Sequence, residues 1–115
     1  MPKIDFYEFG RIVVDGRDIN SDLIIYPDGT IQQDWWRKEG HQLCLEDITH
    51  LLETEPDILI IGSGTYGMMI PRRELLALLD SLGIQVQVLP TAQAVDLYNQ
   101  TDKSKCVGLC LHLTC

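Results

Sequence analysis

The sequence predicts an α/β fold, in which a β-rich layer from residues 1–44 precedes an α/β core from residues 45–115. Turn signals and short apolar runs alternate in the first part, whereas helical spacing of apolar residues begins at Leu45. Strand, helix, strand, helix and strand then follow at a spacing typical of right-handed parallel crossovers. With 115 residues, 45% of them apolar, the chain fits a single domain that buries its own core.

The first part reads as an antiparallel meander. The run from Arg11 to Val14 leads into Asp15-Gly16, which is a strong short hairpin signal. A strand from Asp22 to Pro27 then meets a turn at Pro27-Asp28-Gly29, where proline fixes its own φ and glycine supplies a permissive one. We expect the third strand to run from Thr30 to about Trp36.

The second part alternates three helices with three strands. Apolar spacing from Leu45 to Leu52 indicates the first helix. We expect Pro71 to open the second helix, Gly83 to end it in a left-handed cap, and Thr91 to N-cap the third. The strands are expected at 57–61, 84–89 and 106–115, and their sheet is largely parallel or mixed.

Charge and hydropathy exclude several classes of function. Seventeen acidic against nine basic residues give a net charge of -8 with no Lys/Arg cluster, so we expect no nucleic-acid partner and no anionic membrane surface. The apolar runs are far shorter than the roughly 20 residues that a membrane-spanning helix needs. Residues 1–10 carry no secretory signal pattern, and we expect a cytoplasmic protein.

The stretch IIGSGTYG, residues 60–67, carries a G-x-G-x-x-G spacing that suggests a dinucleotide-binding loop. Two requirements of that loop are missing. Met68, Met69 and Ile70 separate the last glycine from the helix expected to open at Pro71, and the next strand does not end in the acidic residue that would hold a ribose. We therefore predict no nucleotide and no other cofactor. Backbone geometry explains the glycines, and the alternative is an anion bound by the amides of the loop.

Parallel strands bring their carboxyl ends to one edge of a sheet, where open α/β folds place ligands. The edge contains no carboxylate pair, so acid-base catalysis is not indicated and the catalytic residues stay unknown. A Cys115–His112 nucleophile pair would require the last strand to break after His112. The pocket candidates at this edge are Gly62, Ser63, Gly64, Thr65, Tyr66, Gly67, Thr91, His112, Thr114 and Cys115.

Two further groups of residues carry possible chemistry. Trp36, Arg37 and His41 are candidates for a partner surface, with core packing of the tryptophan as the alternative. The four cysteines are expected to be free thiols, because no C-x-x-C pair is present and the last segment is extended. We predict no metal site, and a thiol-based redox role is a third hypothesis.

Motifs in order along nearly the whole chain carry a family resemblance: YPDGTIQQDWWRKEGH, LEDI, ILIIGSGTYG, LPTAQAVDLYN and the terminal HLTC. Together they resemble the Mth-type domain family of unknown function, whose members include proteins associated with adipogenesis and with assembly of mitochondrial complex I. The resemblance implies a three-layer domain, a β-layer packed on an α/β/α core. It supplies no catalytic residues, because the family has no established reaction.

Two functional hypotheses follow. The first is a non-enzymatic assembly or protein-interaction module, because no acid-base constellation is evident and the resemblance includes assembly-linked members. The second is a small-molecule-binding protein or enzyme with its pocket at the strand ends, around the glycine loop, Thr91 and His112. We expect a monomer or a weak homodimer formed through an exposed strand edge.

Overall fold

The N-terminal strands form a small antiparallel sheet in the computed structural model, which describes residues 2–102 and 104–115. Strands β1 (Ile4–Glu8), β2 (Arg11–Val14) and β3 (Arg17–Ile19) lie in the order β1-β2-β3. The predicted hairpin between β2 and β3 is confirmed, with Asp15 and Gly16 both at positive φ, as a two-residue hairpin turn requires.

The next two strands leave this sheet, and the predicted single meander over residues 1–44 was therefore wrong. Strand β4 (Leu23–Ile25) and strand β5 (Ile31–Gln32) belong to the main sheet. All three residues of β4 are buried, so both faces of the strand need cover, which a two-layer meander cannot provide. The predicted third strand from Thr30 to Trp36 shortens to the two residues of β5.

The rest of the chain alternates helices and strands as predicted. The main sheet has the order β5-β4-β10-β7-β9, with β7, β9 and β10 mutually parallel and β4 antiparallel to β10, so it is mixed. After β5 the elements are β6 (Gln42–Leu43), a 3-10 turn (Leu45–Ile48), α1 (Thr49–Glu53), β7 (Ile58–Ser63), β8 (Ile70–Pro71), α2 (Arg73–Ser81), β9 (Gln85–Leu89), α3 (Thr91–Gln100) and β10 (Val107–His112).

The two faces of the main sheet carry separate apolar cores, and this arrangement gives the three layers. Alternation along β10 places Leu109 and Leu111 toward α3 and the N-terminal sheet, while Cys110 points toward α1 and α2. Gly108 shares the Cys110 face, and a Cβ built there would lie 2.8 Å from Cδ1 of Leu51 in α1. The absence of a side chain at Gly108 thus allows α1 to approach the strand closely.

Three helix boundaries differ from the prediction. The first helix, expected from Leu45, starts as the 3-10 turn Leu45–Ile48 and is α-helical only from Thr49. Pro71 lies in β8 beside β6, and α2 begins at Arg73. The flanking N–H groups of Ile70 and Arg72 donate to the carbonyls of His41 and Leu43, so the missing N–H of proline leaves no gap in the ladder. Gly83 follows α2 with a φ of 75°, as predicted. Thr91 is the first residue of α3, after Pro90, and its hydroxyl does not cap the helix.

Candidate functional site

The amide groups of the glycine loop after β7 donate hydrogen bonds to other groups of the protein. The N–H of Gly64 donates to Oγ1 of Thr91 at 2.8 Å, that of Thr65 to the carbonyl of Thr114 at 2.6 Å, and that of Met68 to the carbonyl of Cys115 at 2.9 Å. These donors are therefore already engaged, and an anion bound by this loop would have to displace contacts of the C-terminal segment.

Close packing explains two of the glycines. A Cβ at Gly62 would lie 2.5 Å from Cδ2 of Leu111, and one at Gly64 would lie 2.4 Å from the carbonyl carbon of Cys115. Gly64 also has a φ of 107°, a conformation that L side chains rarely adopt. The two glycines therefore leave room for Leu111 and for the segment that follows β10.

The hydroxyl groups of the predicted pocket join this same junction. Thr91 Oγ1 also donates to the carbonyl of His112 at 2.6 Å, Ser63 Oγ donates to the carbonyl of Leu89 at 3.0 Å, and the Thr65 hydroxyl contacts the Tyr7 hydroxyl. The structure thus brings the loop, Thr91 and residues 112–115 together at the carboxyl edge of the sheet. They meet as a packed junction, with Tyr66 exposed at its surface.

A buried polar cluster lies beside this junction. Nδ1 of His112 is 2.8 Å from Oδ2 of Asp22, and Nη1 of Arg37 donates to the same oxygen at 2.8 Å. The backbone N–H of Leu113 donates to the other carboxylate oxygen at 2.8 Å. The three side chains are 17% exposed or less, so this is a buried carboxylate, imidazole and guanidinium in direct contact.

The ionisation of Asp22 follows from the groups that donate hydrogen bonds to it. Burial disfavours the Asp22 carboxylate, but hydrogen bonds from His112, Leu113 and Arg37 outweigh it and hold the pKa of Asp22 below its ordinary value. An ionised carboxylate only accepts hydrogen bonds, so its contact with Nδ1 of His112 needs a proton on that nitrogen, whereas Nη2 of Arg37, 3.0 Å from the same nitrogen, can only donate to it.

Nε2 of His112 has no hydrogen-bonding partner among residues 2–102 and 104–115, although His112 is only 6% exposed. Buried polar atoms are almost always satisfied, so an unpaired buried imidazole nitrogen is unusual. The exposed ring of His41 meets the His112 ring edge to face, with the centroids 5.9 Å apart. His41 is therefore the outer neighbour of this buried ring.

A cavity of about 440 Å3 opens beside the cluster. Two other cavities, of about 480 and 440 Å3, are similar in size, so chemistry rather than volume distinguishes the one that contains His112. It is lined by Gly10, Asn20, Ser21, Asp22, Asp34, Trp35, Trp36, Arg37, Gly40, His112, Leu113 and Thr114.

The three predicted partner-surface residues have different environments. Trp36 is 85% exposed, and His41 is also exposed. The Arg37 side chain is buried, donates from Nε to the carbonyl of Gly40, and stacks on the Trp35 ring with Cζ 5.0 Å from the centroid. Arg37 thus belongs to the internal cluster, whereas Trp36 and His41 lie at the surface above it.

The cysteines do not converge on a metal. Within the part of the chain that the structure describes, no three His, Cys, Asp or Glu side chains are grouped as metal ligands. All four cysteines are free thiols. Burial raises the pKa of Cys110 to about 12, and burial together with hydrogen bonding to Glu46 and Asp47 raises that of Cys44 to about 11. Neither thiol is activated as a nucleophile.

Sequence reasoning missed Asp22, because it placed the strand from Asp22 to Pro27 in a separate meander. In the structure β4 runs antiparallel to β10, so the residue before β4 lies beside the end of β10. The signal available in the sequence was the run Leu23-Ile24-Ile25, which is apolar on both faces and thus typical of an interior strand.

A family model described as "Protein of unknown function (DUF498/DUF598)" matches residues 4–112. The chain belongs to this family. The conserved hypothetical protein PH1505 from Pyrococcus horikoshii OT3 is 28% identical, with a TM-score of 0.85 over 98% of this chain and 99% of its own. A solved structure named MT938 is also 28% identical, with a TM-score of 0.79 over the full length of both chains.

A more distant similarity shows the fold alone. A Bordetella pertussis protein described as a Mth938-like domain is 18% identical, with a TM-score of 0.66 over 97% of this chain and 85% of its own. These matches confirm the Mth-type resemblance and the mixed α/β architecture of the family. Among the described residues, no helix has the length and apolar character needed to cross a bilayer.

Proposed function

We propose that the domain is a non-enzymatic protein-interaction module of the cytoplasm, which supports assembly of other proteins by binding them at the carboxyl edge of its sheet. The observation that carries the proposal is a group of exposed apolar side chains around that edge, here called the apolar rim. Its members are Phe9, Trp36, Tyr66, Met68 and Ile70, each at least half exposed.

Contacts through the backbone and side chains keep the rim on one edge. The rings of Phe9 and Tyr66 lie with centroids 6.3 Å apart, and the backbone N–H of Met68 donates to the carbonyl of Cys115. The backbone N–H of Ile70 donates to the carbonyl of His41, and the ring of His41 contacts the ring of His112. Large apolar groups clustered on a surface are typical of interaction sites, whereas single scattered ones are ordinary.

The charges next to the rim indicate the partner's chemistry. Arg72 and Arg73 line the same depression as Met68 and Ile70, with Glu74 as the single acidic residue there. This local excess of positive charge contrasts with the net charge of -8 for the whole chain. An apolar segment flanked by acidic side chains would match the rim, because charge complementarity favours encounter with such a surface.

Site-specific photo-crosslinking tests the proposal. A benzoylphenylalanine residue replaces Trp36 or Tyr66 in the protein expressed in its own host, and Leu82 serves as the control position. Leu82 is 57% exposed but follows α2 near the amino end of β9, at the opposite edge of the sheet. We expect the same discrete protein adduct from both rim positions and none from Leu82.

Substitution then links the adduct to the apolar surface. Met68→Ser should remove the crosslink formed from Trp36, while Leu82→Ser should leave it unchanged, because only the first alters the rim. Equal adducts from all three crosslinker positions would reject the proposed surface. An adduct formed only with a second copy of the chain would replace the assembly role with a homodimer.

A second candidate function is small-molecule binding, with or without catalysis, at the same edge of the sheet. The specific observation in its favour is the cluster of Asp22, Arg37 and His112 beside a cavity, with one imidazole nitrogen unpaired. Native mass spectrometry of the protein taken gently from its host tests this candidate. A bound small mass that is lost in His112→Gln supports it, and a bare chain argues against it.

A further inference from the structure

We propose that strand β9 pairs edge to edge with β9 of a second copy of the chain, so that the main sheets of two molecules join across a two-fold axis. This interface is separate from the apolar rim and goes beyond the proposed function. It rests on the outward backbone groups of the strand, on its lack of protection against pairing, and on opposite charges at the two ends of α2.

The outer side of β9 carries backbone groups with no strand beside them. Within the part of the chain that the structure describes, β9 pairs only with β7 and ends the main sheet. The N–H of Gln85 donates at 3.0 Å to the carbonyl of the residue before β7. Because successive residues of a strand direct their backbone groups to opposite sides, Gln87 also bonds to β7. The N–H and C=O groups of Val86 and Val88 therefore face outward.

The edges of β1, β3 and β5 are protected against pairing. At β1, the Asn99 side chain donates to the carbonyl of Ile4 at 2.8 Å and accepts from its N–H at 3.0 Å. Strand β3 carries Arg17 and Asp18, and β5, at the other end of the main sheet, has only two residues. Covering groups, charges and short length are the devices by which proteins keep an edge from adding strands.

Strand β9 has none of these devices. Its five residues, Gln85–Leu89, include no charge and no proline, and their unbroken register with β7 contains no bulge. Gln85 and Gln87 are exposed, and Val88 is 39% exposed. The edge is therefore regular and open to another strand.

The strand is complementary to its own copy. In an antiparallel pair centred on Gln87, Val86 of one copy lies opposite Val88 of the other. Residues opposite each other at a hydrogen-bonded position exchange both of their N–H···O bonds, so these pairs satisfy every outward group of both strands. The side chains are uncharged and do not repel each other across the pair. The resulting two-fold dimer leaves no β9 edge for a third copy.

Charges on α2 favour the same antiparallel arrangement. Helix α2 packs on β9, and Glu74 and Leu78 line a cavity on its side toward the 3-10 turn. Helical spacing of about 100° per residue places Arg73, Leu76 and Asp80 on the opposite flank. Two copies of α2 run antiparallel across the two-fold axis, so Arg73 of one approaches Asp80 of the other. This complementarity identifies a second copy as the occupant of the edge.

Sedimentation velocity over a series of protein concentrations tests the proposal. One strand pair and one helix flank form a small interface, and the net charge of -8 on each copy opposes association. We therefore expect a dimer only at about 100 µM and above, as for transient complexes. Photo-crosslinking at lower concentrations should then give no adduct from Leu82.

Val88→Pro tests the backbone contact. It removes an outward N–H and leaves the bonds to β7 in place, and edge strands tolerate proline at such positions. The dimer should weaken about 30-fold, because two hydrogen bonds are lost in each dimer. Urea unfolding confirms that the variant is folded.

Charge variants test the interface without altering the strand. Asp80→Lys should weaken the dimer about tenfold, because it places a positive charge beside Arg73 of the other copy. Adding Arg73→Glu restores opposite charges and should return the affinity to within about twofold of the wild type. Glu53→Lys is the matched control. It makes the same change in net charge at an exposed position of α1, which packs over β10, and it should not weaken the dimer.

Amide hydrogen exchange locates the contact. Exchange at Val86 and Val88 should slow as the protein is concentrated, while Gln87, already bonded to β7, should not change. A chain that stays monomeric at about 1 mM would overturn the inference, as would a dimer that tolerates both Val88→Pro and Asp80→Lys. Protection of Val86 and Val88 at every concentration would assign the edge to a strand of another molecule instead. None of these outcomes bears on the apolar rim, so failure here is distinguishable from failure of the interaction module.

Discussion

Asp22 and His112 are 90 positions apart in the chain, yet Oδ2 of the first lies 2.8 Å from Nδ1 of the second. The contact connects the residue before β4 with the last residue of β10. Because Leu113 also donates its backbone N–H to Asp22, the carboxylate fixes both the side chain of His112 and the direction in which the chain leaves the strand.

Replacing Asp22 by asparagine should destabilise the domain by about 3 kcal/mol, because it leaves the buried charge of Arg37 without its counterion. Asp18→Asn is the matched control. Asp18 pairs with Arg11 at 2.7 Å, but both side chains are more than a third exposed, so the loss should stay below about 0.5 kcal/mol. Urea unfolding at neutral pH measures both. Equal losses would show that burial of the Asp22 pair has no energetic consequence.

Acid should destabilise the domain partly through Asp22. Its pKa is lower in the folded chain than the unfolded value of about 3.9, so folding favours the ionised form. The resulting stability is present above about pH 4 and is lost as the pH falls through the folded pKa. The free energy of unfolding, measured from pH 7 to pH 3, should fall less steeply in Asp22→Asn than in the wild type. Parallel curves would contradict the assignment.

Replacing Gly64 by alanine should cost about 3 kcal/mol, because a Cβ would lie 2.4 Å from the Cys115 backbone at a φ of 107°. Gly40→Ala is the control, since a Cβ there meets nothing within 4 Å and the residue lacks a left-handed φ. Its unfolding free energy should change by less than about 0.5 kcal/mol. If both variants unfold at the same urea concentration, the loop does not need its glycine.

Native alkylation should divide the four cysteines by position. Cys106 and Cys115 are exposed and should react with iodoacetamide first. Cys44, with a pKa of about 11, should react more slowly, and Cys110, buried with a pKa of about 12, only after unfolding. Mass spectrometry of timed samples at a mildly alkaline pH gives the order. Fast labelling of Cys110 in the native protein would instead support the redox hypothesis.

Local patterns predicted the elements well, because their causes are local. The Asp15-Gly16 signal identified the hairpin between β2 and β3, and Gly83 identified the end of α2. Which strands lie side by side depends instead on residues that are far apart in the sequence. The residues near Asp22 give no indication that β4 pairs with residues 109–111. The periodicity of the sequence therefore could not predict a carboxylate at this edge of the sheet.

Thr91 shows the same limit for a single side chain. A hydroxyl just before a helical pattern is a plausible N-cap, and this was the prediction. The structure instead uses Oγ1 to accept from Gly64 and to donate to the carbonyl of His112. Either arrangement, a helix cap or these two contacts, satisfies the hydrogen-bonding capacity of the hydroxyl. The position of the C-terminal segment decides which of the two forms.

Strand β10 lies in the middle of the five-stranded sheet, between β4 and β7, yet it is formed by residues 107–112. A nascent chain must therefore carry both neighbours with an unpaired edge until almost the whole domain has left the ribosome. Unpaired edges readily add foreign strands, and contacts that span most of the chain form slowly. During synthesis the sheet therefore closes only once residues 107–112 are available, and the period before that is when this domain most needs protection from aggregation.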